Sequence, residues 1–162
     1  MESGERPGSR VPPIRTVVAP ADSIHMSRET ERRGVCGATV LVADDNADLR
    51  ELLAHQVQKM GAQVLLAANG QEAMDMAMRH HPGLVLMDLE MPVMSGLEAV
   101  AGLRAQGYGG VILAFTAHEE GPRIQGALAS GCNAVLKKPL SATKLRTRLT
   151  EYLGRSARSP VA

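Results

Sequence analysis

Five side chains capable of chemistry stand directly behind short apolar runs. Asp44 and Asp45 follow residues 39–43, Asp88 follows 84–87, Thr116 follows 111–115, and Lys138, with Pro139 behind it, lies just past 134–136. In an open parallel sheet, ligands bind outside the carboxyl ends of the strands, where the strand order reverses. If these runs are strands in the order 2-1-3-4-5, the first and third are neighbours and all five side chains meet in one crevice. Three carboxylates gathered there repel one another by about 4 kcal/mol per pair at ~4 Å and an effective dielectric of ~20, so the crevice must take up a proton or a cation. Oxygen ligands in a partly hydrated site suit Mg2+, with Mn2+ as a substitute, whereas zinc would call for His or Cys that this set lacks. With the Thr116 hydroxyl and the Lys138 ammonium facing the neutralised acids, the parts are those of a phosphoryl site. Asp88, central among them, is the candidate nucleophile, able to carry the group as an acyl phosphate.

The elements that must position these groups are legible in the hydrophobic pattern. The runs 39–43, 63–67, 84–87, 111–115 and 134–136 are continuously apolar, as in strands covered on both faces. Between them lie stretches of helical period. Leu49, Leu52, Leu53, Val57 and Met60 make one inward stripe, stopped by Gly61; Asn69 caps the next helix, with Ala73, Met74, Ala77 and Met78 inward. Ser95 starts a third, carrying Leu97, Val100 and Ala101, and Ser141 starts the last, carrying Leu145, Leu149 and Leu153. The fourth, about residues 122–130, is weak, because Gly121, Gly126 and Gly131 punctuate it. Five strands alternating with five helices predict an α/β fold, a doubly wound five-stranded parallel sheet of flavodoxin-like order.

Composition bounds the rest. The chain has 162 residues, room for one ordinary domain. With one Phe, two Tyr and no Trp it lacks stacking platforms for single-stranded nucleic acid, and a net charge of +1 gives no field to favour DNA or an anionic membrane. Cys36 and Cys132 have no partner at ligand spacing, and no run is long and apolar enough to span a bilayer, which predicts a cytoplasmic chain. Residues 1–36, rich in Pro and Arg, are expected to form a mobile arm with at most a helical turn at 27–33. The folded domain is expected over 37–154, and a frayed tail over 155–162.

At V-L-V-A-D-D-N, D-L-E-M-P-V-M-S-G, F-T-A and K-K-P the sequence closely resembles the receiver domain of two-component response regulators, most of all those attached to hybrid sensor histidine kinases. The resemblance covers 39–153. It implies that Asp88 takes phosphate from a phosphohistidine on a partner, a sensor histidine kinase or a histidine phosphotransfer protein. It further implies that Asp45 ligates Mg2+ directly, Asp44 chiefly through water, and that Asp88 and the backbone carbonyl of Glu90 complete the protein ligands. Thr116 and the N–H of Ala117 would bind phosphoryl oxygens, Lys138 would pair with the phosphate, and the Lys138-Pro139 bond would be cis. One departure stands out: the family usually places Tyr or Phe three residues before the lysine, and this chain has Val135. An aromatic flip is therefore excluded as the switch, leaving the glycine-rich fourth helix to supply the mobility.

Simpler readings account for less. One of Asp44, Asp45 and Asn46 can cap the first helix, but capping says nothing of Asp88, Thr116 or Lys138. Met91-Pro92 and Ser95-Gly96 read as turn residues, Lys137 as solvated, and the five His (25, 55, 80, 81 and 118) show no ligand spacing. A haloacid dehalogenase-type phosphohydrolase needs a second Asp two residues after the nucleophile, where Glu90 stands. A degenerate scaffold would not need the complete acidic set. The expectation is a single-domain phosphoacceptor, monomeric or weakly dimeric, that dephosphorylates itself and signals by protein contact or onward relay.

Overall fold

The computed structural model describes residues 35–117 and 121–156. Most of the expected arm and tail, the turn at 27–33, His25 and His118 lie outside them. The elements run β1 (Thr39–Ala43), α1 (Ala47–Lys59), β2 (Gln63–Ala67), α2 (Gly70–His80), β3 (Leu84–Asp88), α3 (Gly96–Ala105), β4 (Val111–Thr116), α4 (Pro122–Ser130), β5 (Ala134–Lys137) and α5 (Ala142–Ser156). All strand pairs are parallel, in the order β2-β1-β3-β4-β5. The predicted doubly wound fold is the observed one.

The continuous apolar runs divide by alternation into two cores. Val40, Val42, Leu84, Leu86, Leu113 and Phe115 point to the face covered by Leu53 and Val57 of α1 and Leu145, Leu149 and Leu153 of α5. Leu41, Ala43, Val85, Met87, Ile112 and Ala114 meet Ala73 and Ala77 of α2, Ala99, Val100 and Leu103 of α3, and Ala127 of α4. Alanine at the helix contacts of this second face lets the backbones come close, and the methionines Met74, Met76 and Met78 fill its rim. Two expected inward residues point out. Leu52 is 52% exposed and Ala101 is exposed, while Ala54 and Ala99 are buried. At about 100° per residue, each of those helices centres its buried stripe slightly to one side of the expected one.

Caps fix where the helices begin. The Asn46, Asn69, Ser95 and Ser141 side chains accept from the N–H groups of Leu49, Glu72, Glu98 and Lys144, and Glu98 returns a bond to the Ser95 N–H to complete a capping box. Helix α5 runs two residues past the expected boundary at 154; Gly154 weakens a helix by about 1 kcal/mol relative to Ala but does not break it. At the strands' amino ends, the Arg104 guanidinium donates to the carbonyls of Gly131, Tyr108 and Gly110 and to Asn133 Oδ1, tying α3 to the entries of β4 and β5.

The turn after β3 depends on one close approach. A Cβ on Gly96 would lie 2.1 Å from the Asp88 carbonyl oxygen, so α3 can start that near β3 only with glycine. Gly126, by contrast, sits within α4 with nothing within 4 Å of its would-be Cβ. Gly96→Ala is expected to lower the unfolding free energy by about 1–3 kcal/mol. Gly126→Ala is expected to raise it by up to about 1 kcal/mol. Urea denaturation of both variants checks the pair.

Candidate functional site

Strand register sets the site. Asp88 closes β3 opposite Phe115, so Thr116 stands one residue further along β4, paired in register with Lys137. The Lys138 N–H donates to the Thr116 carbonyl at 2.8 Å, which brings the end of β5 alongside; the Lys138-Pro139 bond is cis. Asp44 is held from three sides: its N–H bonds Ala67 O at 3.1 Å, its Oδ1 accepts the Asn46 N–H at 2.8 Å, and its carbonyl accepts Arg50 Nη1 at 2.7 Å.

Carboxylate oxygens of Asp44, Asp45 and Asp88 all lie within 4.8 Å of one another, and this is the one such acidic or metal-ligating trio among the described residues. Asp44 and Asp88 are buried and Asp45 is exposed. Lys138 Nζ reaches Asp88 Oδ2 at 3.1 Å and Asp44 Oδ2 at 3.5 Å. The ammonium also rests over the Phe115 ring, 4.9 Å from its centroid. Asp88 Oδ1 accepts the Glu90 N–H at 3.0 Å. Burial pushes the Asp88 carboxyl above the ordinary carboxylate value; the Glu90 N–H and Lys138 pull it part of the way back, and Asp44 adds to the rise. One ammonium among three carboxylates leaves a surplus of negative charge, and an all-oxygen donor set around it fits a hard divalent cation such as Mg2+.

The remaining candidates fall nearby. Thr116 is buried at the end of β4 and Ala117 follows it exposed. The Glu90 side chain pairs with Arg123 of α4, a contact between distant segments that no local pattern signals. Val93, in the turn before α3, is 85% exposed at φ 70, a left-handed conformation that a β-branched residue adopts only under strain. Lys137 and His55 are exposed, and Val135 packs against the core beneath α4.

The family model described as the response regulator receiver domain matches residues 40–150. The chain belongs to that family. Receiver domains are the phosphoacceptor modules of two-component signal transduction, and they bind Mg2+ at an acidic cluster of this kind. This receiver domain is 30% identical over 121 residues to the polar-differentiation response regulator DivK of Brucella ovis, covering 72% of the chain and 96% of DivK. It is 36% identical over 105 residues to a response regulator receiver protein of Anaeromyxobacter sp. (strain Fw109-5), covering 65% of the chain. The chain spans about half the length of the first curated relatives it matches, 44% and 48%.

Solved structures agree. The receiver domain of a Pseudomonas aeruginosa PAO1 sensor histidine kinase, crystallised with a magnesium ion coordinated in its active site cleft, aligns with a TM-score of 0.69 at 30% identity, covering 74% of this chain and 99% of that one. The co-crystal structure of the Saccharomyces cerevisiae histidine phosphotransfer protein Ypd1 with the receiver domain of its downstream response regulator Ssk1 aligns with a TM-score of 0.72 at 30% identity, covering 78% and 95%. Among the described residues, no helix of this receiver domain is long and apolar enough to cross a membrane.

The raised Asp88 carboxyl makes a stability prediction for the metal-free protein. A carboxyl whose folded value lies above its unfolded value weakens the fold once ionised, and that loss is relieved as pH falls through the folded value towards 3.8. In the presence of chelator, Asp88→Asn is therefore expected to melt above the wild type at neutral pH. The gap should close on acidification to about pH 4, as followed by circular dichroism.

Proposed function

We propose that this receiver domain accepts a phosphoryl group from a phosphohistidine onto Asp88, with Mg2+ held by Asp44, Asp45, Asp88 and the backbone carbonyl of Glu90. The observation that carries the reading is the 3.1 Å approach of Lys138 Nζ to Asp88 Oδ2 beside three carboxylates gathered within 4.8 Å. Buried Asp88 is thus offered between a fixed cation and a place for a second one.

In the reaction an Asp88 carboxylate oxygen forms a bond to phosphorus as the donor's N–P bond breaks. The imidazole leaves with that electron pair and takes a proton from solvent. Bound Mg2+ would supply charge neutralisation at the phosphoryl oxygens. Lys138 passes from pairing with a carboxylate to pairing with the new phosphate, and the Thr116 hydroxyl and Ala117 N–H donate to its remaining oxygens. Return is by hydrolysis: water attacks phosphorus, the bond to Asp88 breaks, and the carboxylate and inorganic phosphate are released. The likeness to a kinase-borne receiver and to one seated on a histidine phosphotransfer protein supports donors of those two kinds. Output then runs through protein contact or onward relay.

Incubation with Mg2+ and a small-molecule phosphodonor should add one phosphoryl group to the wild type, seen by intact mass, and none to Asp88→Asn. Lys138→Ala should slow the addition by about a hundredfold, the usual effect of removing one preorganised charge-stabilising donor. Modification of Asp88→Asn at the wild-type rate, or a wild type that takes up nothing, sinks the assignment.

A further inference from the structure

We propose that Arg123 is a positioning residue of this site: by pairing with Glu90 it holds the turn that follows Asp88 and ties the start of α4 to it. The inference rests on Asp88 being the phosphoacceptor and concerns how that site is kept in shape.

The Glu90 backbone touches the site twice, through the N–H that donates to Asp88 Oδ1 at 3.0 Å and through the carbonyl proposed as a metal ligand. The conformation at Glu90, whose two flanking peptide units carry these groups, therefore sets both of them. The Glu90 carboxylate is gripped by the Arg123 guanidinium from a different layer of the fold. Arg123 follows Pro122 in the first turn of α4, a turn without an acidic residue, and its N-cap, Gly121 at φ 116, makes no side-chain bond. Within the helix's own first turn, then, the positive end of α4 meets no carboxylate, and Arg123 adds to the charge there. Glu90, in the turn after β3, brings a negative charge to that first turn.

The anchorage of α4 is otherwise slight. Ala127 is the one fully buried side chain in the helix. An open pocket of about 620 Å³ lies beside the pair, lined by Leu89, Glu90, Met91, Ser95, Leu97 and Arg123. The partners are 55% and 47% exposed, which limits the pair to an effect of up to about fivefold. With Val135 in place of an aromatic ring, this pair is a direct side-chain connection between the Asp88 turn and α4.

The test uses the full chain, with two readouts: the rate of phosphorylation by a small-molecule phosphodonor at saturating Mg2+, and amide exchange of residues 122–130 without phosphodonor. Arg123→Ala should slow phosphorylation about two- to fivefold and speed α4 exchange by a similar factor, with the global denaturation midpoint held. Arg123→Lys, which keeps the charge, should recover most of both. The double variant Glu90→Gln/Arg123→Ala should be no worse than either single variant, because the two act as one unit. Wild-type values for Arg123→Ala in either readout overturn the inference, as does strict additivity in the double variant. A wild type that takes up no phosphate overturns the role of Asp88 as well, whereas normal uptake with an unaffected Arg123→Ala overturns the role of Arg123 alone.

Discussion

Mutual repulsion among Asp44, Asp45 and Asp88 is the constraint around which the rest is arranged. Two of these groups are buried, and nothing in the local chain would choose to bury them. The sheet forces them together, because neighbouring parallel strands β1 and β3 both end at the same edge. The resulting charge is offset in part by Lys138, just past the end of β5, and the imbalance that remains suits the cation that the proposed reading places there.

The two cores explain how so small a site tolerates that charge. Below the carboxylates the sheet is sealed on both faces by aliphatic packing, while above them the chain offers turns, a capping box and the end of α4. Floor and rim are thereby assigned to different residues. Glycine makes the boundary between them possible: at Gly96 the backbone of α3 comes so near to Asp88 that no side chain fits.

Much of this was readable from the sequence. Runs such as 39–43 and 111–115 declare strands covered on both faces, and polar residues placed directly after them declare the site, because strand ends and sheet edges follow from the same periodicity. The family motifs add proposed roles for residues such as Glu90 and Ala117 that no pattern of hydrophobicity would single out. The faces of α1 and α3 were read less well. Leu52 and Ala101 are apolar and correctly spaced, yet the stripe that is buried depends on how each helix is rotated against the sheet, which tertiary packing decides. Pairings between distant polar groups, the Arg123 side chain with that of Glu90 and the Arg104 side chain with the Gly131 carbonyl, leave no trace in local sequence at all.

The chain contains a single phenylalanine, and it lies under the ammonium of Lys138. Phe115 belongs to the core shared with α1 and α5, so the same ring that fills the interior also offers its electron-rich face to the cation above. An aliphatic replacement would therefore disturb the core and remove the lysine's cushion together. Position 115 is therefore where the hydrophobic interior and the carboxylate crevice are one residue thick, so that no change there touches the one without the other.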